Sequence, residues 1–172
     1  MEPAGGRRMI AAFPPVADER SRTLVLGSMP GVASLTKRQY YGHPRNHFWP
    51  IVYGVFDGGA PSPDYEERLA FAAAHGIALW DVLCECEREG SLDSAIRSPV
   101  ANDFNAFLEL YPGITRIFFN GSAAAQLFTR HVDLAAPHQT RLTLEGLPST
   151  SPAHTISYER KLAAWQAIRQ PE

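Results

Sequence analysis

Residues 24–50 read LVLGSMPGVASLTKRQYYGHPRNHFWP, and the reading of this stretch decides the fold. Leu24, Val25 and Leu26 form a short apolar run with no polar face, as expected of a strand buried on both sides. The run breaks into Gly27-Ser28-Met29-Pro30-Gly31, a turn bracketed by glycines. A polar and aromatic loop follows. Asn46 then opens a helix over 47–56, with Phe48, Trp49, Val52 and Phe56 at helical spacing. Open α/β sheets build their sites where buried strands deliver such loops, at strand C-terminal ends. Residues 21–56 contain no Asp or Glu, yet hold Arg22, Lys37, Arg38, His43, Arg45 and His47. An aromatic, basic and acid-free surface suits phosphates and a flat base. An ordinary strand-to-helix connection is the plain alternative.

The rest of the chain repeats the alternation. Residues 1–20, with Gly5-Gly6 and Pro14-Pro15, read as an irregular N-terminal arm, and 21–172 as one domain. A first strand is expected at 23–26. Ser62 and Pro63 make the cap and first turn of a helix reaching His75, with Gly76 as its stop. A second strand covers 77–83, followed by a charged loop through Gly90. Asn102 caps a helix ending near Tyr111, where Pro112-Gly113 terminates it. A third strand at 116–119 turns at Asn120-Gly121 into an alanine-rich helix over 122–131. A fourth strand at 141–144, a loop over 146–152 and a last helix over 156–169 complete the chain. This order predicts an α/β three-layer sandwich: a central, mostly parallel four-stranded sheet flanked by helices.

Composition narrows the function classes. A chain of 172 residues with 45% hydrophobic content supports one sizeable core and argues against disorder. A net charge of −2 argues against holding nucleic acid by bulk charge, and leaves a local basic patch as the electrostatic route. No segment approaches the roughly 18–20 apolar residues of a membrane helix, and the start lacks the apolar run of a signal peptide. Cys84 and Cys86 supply too few ligands for a zinc or iron–sulfur site. They read as reduced thiols of a cytoplasmic protein that uses no metal and no cofactor.

In such a sheet the loops after successive strands meet at one edge. Gly27 to Gly31 are a site loop or simply a turn. Tyr40 and Tyr41 are ligand-stacking rings or core aromatics. Asn46 is a helix cap or a catalytic amide. Asp81 ends an apolar strand, where a carboxylate is costly unless paired or functional. Asn120-Gly121 makes a strand-to-helix turn. Ser149, Thr150 and Ser151 are a phosphate cradle or a plain capping segment. His154 is a solvated surface histidine or a catalyst.

Taken together these loops resemble the uracil-DNA glycosylase superfamily, over about residues 22–168 and in the same motif order. Gly27-Ser28-Met29-Pro30-Gly31 is similar to its first motif, which reads G-I-N-P-G in the mismatch-specific uracil/thymine branch. The run from Tyr41 through Pro44, Asn46 and Phe48-Trp49 is similar to that branch's aromatic-x-x-P-x-N-x-F-W segment. Residues 76–83 resemble the base-reading strand, and Ser149-Thr150-Ser151-Pro152-Ala153-His154 the phosphate and wedge loop. The G-S-M-P-G and S-T-S-P-A-H signatures are most similar to the deoxyinosine (hypoxanthine) branch. Three departures argue against efficient uracil removal. Met29 stands where related branches keep a water-positioning Asn or Asp, Asp81 where uracil-specific relatives keep Asn, and Ser149 where they keep His.

The resemblance implies a monofunctional DNA glycosylase that flips out a deaminated base, chiefly hypoxanthine, and hydrolyses its N-glycosidic bond. Its partner would be DNA containing a deaminated base, met by a monomer. It implies that Tyr41 stacks on the base, that the loop from Gly27 to Gly31 and Asn120 frame the pocket, and that Asp81 discriminates among bases. It leaves Asn46 as the side chain for water. Ser149 and Ser151 would hold flanking phosphates, Thr150 and Pro152 would belong to the same DNA-binding loop, and Ala153 and His154 would fill the vacated stack. Three alternatives stay open: a uracil/thymine mismatch glycosylase, a damaged-DNA-binding module without catalysis, and an unrelated α/β enzyme for a small phosphorylated substrate.

Overall fold

Apolar strands in the middle of a parallel sheet must be covered on both faces, and the chain does this with two separate cores. The structure, a computed structural model, describes residues 8–169. Its main sheet has four parallel strands: β2 (Thr23–Gly27), β3 (Ile77–Asp81), β6 (Arg116–Asn120) and β7 (Thr143–Leu147), in the order β3-β2-β6-β7. Alternation along β2 sends Leu24 and Leu26 into one core and Val25 into the other. The first core packs Trp80 and Phe119 against α4 (Phe104–Leu110) and α5 (Ser122–His131). The second packs Leu79 and Phe118 against α2 (Phe48–Val55), α3 (Tyr65–Ala74) and α7 (Tyr158–Trp165). The three-layer α/β sandwich with a four-stranded parallel sheet is therefore the observed architecture.

Several local expectations are corrected. The N-terminal arm is not irregular throughout. Met9–Ala11 forms strand β1, which pairs antiparallel with β4 (Leu83–Glu87), and Val16 bridges Leu79. The segment expected as one strand over 77–83 is two. Asp81 ends β3, and the chain then leaves the main sheet for a second, antiparallel sheet ordered β1-β4-β5, where β5 is Arg97–Ala101. The expected charged loop is thus partly strand β4, whose shifted pairing with β5 hides its regularity. The loop after Gly31 contains a helix, α1 (Val32–Lys37), and α6 (Ala136–Arg141) precedes β7.

The caps shift as well. Asp64, not Ser62, caps α3 by accepting from the Glu66 N–H at 2.9 Å. Asp103, not Asn102, caps α4 by accepting from the Ala106 N–H at 3.1 Å. Asn102 instead donates its side-chain amide to the Asp81 carbonyl at 2.8 Å. The last helix is shorter than expected: Ser157 caps α7, and a 3₁₀ turn over Gln166–Ile168 ends it. Among the described residues, no helix is long and apolar enough to cross a membrane, and no cluster of three metal-ligating side chains occurs.

Candidate active site

The C-terminal ends of all four parallel strands open into one cleft of about 320 Å³. Every site residue expected from the sequence lines it except His154. His154 lines a neighbouring groove with Arg45 and His47.

The floor is made by the ends of β2 and β3. Gly27 pairs with Asp81, and a Cβ on Gly27 would stand 2.6 Å from Asp81 Oδ1 and 3.5 Å from the Tyr41 hydroxyl. Glycine is required there by close approach. Asp81 is buried, and burial pushes its carboxyl up to about 7. The neighbouring Asp93 carboxylate adds to the rise and Arg88 opposes it. Asp81 Oδ2 and the Tyr41 hydroxyl are both buried without a hydrogen-bond partner among the described residues. Buried polar atoms are ordinarily satisfied, and here Asp81 and Tyr41 each keep one unpartnered oxygen at the floor of the cleft.

Tyr41 has φ +57°, unusual for a residue with a side chain. The surrounding structure holds it there. Gly42 N–H donates to Ser34 Oγ at 2.9 Å, Lys37 Nζ donates to the Gly42 carbonyl at 2.7 Å, and the Tyr41 ring stacks on Phe48 at 3.9 Å. Burial, and then the Asp81 charge, raises the Tyr41 phenol above its ordinary value. Tyr40 has the blander role. Its hydroxyl donates to the Pro14 carbonyl at 2.8 Å and its carbonyl accepts from Trp49 Nε1 at 3.0 Å, so it is fixed in the core.

Asn46 caps and lines the cleft at once. Its Oδ1 accepts from the Phe48 N–H at 2.9 Å, the spacing of a side-chain cap at 46, although α2 itself begins only at Phe48, with His47 as its flanking residue. That bond uses one of two oxygen lone pairs. Met29 sends its side chain into the first core, although the residue also borders the cleft.

Asn120 is tied to the second loop. Its amide donates to Thr150 Oγ1 at 3.0 Å and accepts from the Thr150 N–H at 2.9 Å. Ser149 Oγ accepts from the Ser151 N–H at 3.1 Å, and Ser151 Oγ from the Ala153 N–H at 3.2 Å. Lys161, fully buried in α7, donates to the Ser151 carbonyl at 3.2 Å, and burial lowers its pKa. His47 N–H donates to the Thr150 carbonyl at 3.0 Å.

Sequence reasoning missed the opposite lip. Arg88, buried behind β4, donates through Nε to the Gly90 carbonyl at 2.8 Å and through Nη2 to the Pro30 carbonyl. The Ser28 hydroxyl donates to Asp93, and Ser91 Oγ accepts from the Val32 N–H at 2.9 Å. Ser91, Leu92 and Asp93 all line the cleft. The one available signal was the pair of polar residues flanking Leu92 after a glycine.

The whole arrangement can hold a flat ring that carries hydrogen-bonding atoms on its edge. The profile of the uracil DNA glycosylase superfamily matches residues 14–169. The chain belongs to that superfamily. It is 33% identical over 153 residues to a protein named hypoxanthine DNA glycosylase from Methanosarcina barkeri strain Fusaro, covering 89% of this chain and 93% of that protein. A protein of the same name from Methanosarcina acetivorans is 35% identical over 156 residues, covering 91% and 95%. A solution NMR structure of a candidate uracil DNA glycosylase from Methanosarcina acetivorans superposes with a TM-score of 0.78 at 33% identity, covering 94% of this chain and 96% of that one.

Proposed function

We propose that this protein is a monofunctional DNA glycosylase that flips a deaminated base, chiefly hypoxanthine, out of DNA and hydrolyses its N-glycosidic bond. The observation that carries the reading is the buried Asp81 carboxyl, its Oδ2 unpartnered, at the floor of a cleft walled by Tyr41. With a pKa of about 7 it is present in both states near neutrality. Ionised, it accepts from the ring N–H of a 6-oxopurine. Protonated, it donates to a carbonyl or ring nitrogen. Tyr41, backed by Phe48, stacks on the extruded base.

Glycosidic cleavage leaves negative charge on the departing base and positive charge on the sugar. The backbone N–H groups of Ser28, Met29 and Gly31, whose residues line the cleft, take up the first without needing any side chain, which makes Met29 tolerable. Asn46 orients the attacking water through its second oxygen lone pair, while the Phe48 N–H fixes the amide plane. Ser149 and Ser151 hold flanking phosphates. The chain's two lysines, Lys37 and Lys161, both donate to backbone carbonyls and lie off the cleft lining, so no side-chain amine is offered for strand cleavage. The product is an intact strand with an abasic sugar. The enzyme acts as a cytoplasmic monomer that presents the acid-free surface to duplex DNA.

The test is single-turnover base release from oligonucleotides carrying one deoxyinosine, deoxyxanthosine or deoxyuridine. Alkali-labile breaks at inosine are expected, with few at uracil. Asn46→Ala is expected to lower the rate by about 10²-fold or more with DNA binding retained. Breaks at uracil alone would overturn the role given to Asp81. Binding without release at any enzyme concentration would make the protein a damaged-DNA-binding module.

A further inference from the structure

We propose that Leu92 is the wedge that enters the duplex where the flipped nucleotide has left, with Val32 beside it, and that Ala153 and His154 are not. The proposal rests on the DNA-glycosylase reading above. Six large hydrophobic residues are exposed among the described residues, and two of them, Leu92 at 62% and Val32 at 50%, lie on the cleft lining. A single exposed apolar side chain is ordinary, but two brought to the same rim of a binding cleft make a surface that a partner can cover.

Leu92 is held, not merely left out. Ser91 before it accepts from the Val32 N–H, and Asp93 after it accepts from the Ser28 hydroxyl. Arg88 links the Gly90 and Pro30 carbonyls behind the turn. Gly31 lets the turn come close, since a Cβ there would stand 3.3 Å from Ser91 Oγ. The turn is thus fixed on both sides of the leucine to the loop that follows β2, and it cannot fold back without breaking those bonds. Apolar side chains of this kind are the ones that prise apart a base step.

The other lip is poorly equipped for that task. Ala153 offers only a methyl group. His154 lies outside the cleft, in a groove shared with Arg45 and His47, where a phosphate contact suits it better than a base stack. The geometry therefore separates two jobs: hydroxyl and cationic groups on one lip for the backbone, leucine on the other for the stack.

The experiment uses the full chain and a duplex with one tetrahydrofuran abasic-site analogue opposite 2-aminopurine, whose emission rises when it is unstacked. No base release is involved, so a failed glycosylase assay leaves this readout intact. Wild-type protein is expected to raise the emission on binding. Leu92→Ala is expected to remove most of the rise and weaken binding about tenfold, and Leu92→Glu to remove it entirely. Leu110→Ala, at an exposed leucine 73% accessible and away from the cleft, is expected to behave as wild type. A full rise with Leu92→Ala, loss of the rise only in His154→Ala, or no rise with the wild-type protein would each overturn the proposal.

Discussion

The two lips of the cleft are built by opposite means. The lip at 149–153 is polar. It is strung together by hydroxyl-to-backbone bonds within itself, and is anchored through Asn120, His47 and Lys161. The lip at 88–93 is pinned by charged groups to the loop that follows β2, across separations of 58 and 65 residues, and what it exposes is a leucine. One lip lines the cleft with hydroxyls bonded within their own loop. The other spends its polar atoms on rigidity so that an apolar tip can be presented. The two walls are therefore held differently: the first by bonds within its own loop, the second by bonds to the loop across the cleft.

Asp81 lies between the lips, and its replacement carries the largest expected effect. Its folded-state pKa of about 7 lies above the ordinary 3.8, so folding takes up a proton between those values. The carboxyl costs nothing below pH 3.8, and its penalty grows as pH rises to about 7. Asp81→Asn is therefore expected to stabilise the protein at pH 8 relative to pH 4, with a ceiling on the order of 4 kcal/mol. Thermal melts at the two pH values check this, and an equal effect at both would refute the assigned shift.

Severing the anchors sets the lips against each other. Arg88→Leu removes two charge-assisted bonds to carbonyls and is expected to cost about 3 kcal/mol, read by urea denaturation. It should also release the 88–93 turn to faster amide exchange, leaving the 149–153 loop protected. Asn120→Ala is expected to cost about 1–2 kcal/mol and to do the reverse, freeing the loop while the turn stays ordered. If either variant loosens both lips, they are one cooperative unit and the contrast fails. The smallest effect belongs to Asp93→Asn. Removing that carboxylate lowers the Asp81 pKa, and the pH midpoint of base release is expected to move towards acid, because Asp93 ranks after burial among the causes. A shift towards alkali would contradict the arrangement.

The main sheet was legible in the sequence because its central strands are short, uniformly apolar and bounded by glycine or a polar turn. The helix expected over 122–131 is α5, set by the Asn120-Gly121 turn. Helix α1 was hidden. It is only six residues long, and Gly31 before it provides no side-chain cap. The second sheet was hidden for another reason: β4 reads Leu-Cys-Glu-Cys-Glu, and its two register shifts against β5 disrupt the pattern that marks a strand. The site followed the same division. Residues at strand ends and in the motif loops were found, whereas Arg88, Ser91 and Asp93 act across the fold on Pro30, Val32 and Ser28, and nothing local announces such pairings. Asn102 was assigned to a helix end because it sits one residue before the true cap, Asp103.

The strand order has a consequence for how the protein is made. β2 is an inner strand that emerges from the ribosome before both of its neighbours, since β3 and β6 begin only at residues 77 and 116. Until then Leu24, Val25 and Leu26, all fully buried in the finished fold, have no parallel strand to pair with. Such long-range pairing is slow and leaves an apolar segment open to association with other chains. The nascent chain is therefore expected to depend on chaperones until β6 clears the ribosome, and to refold from denaturant in good yield only when dilute.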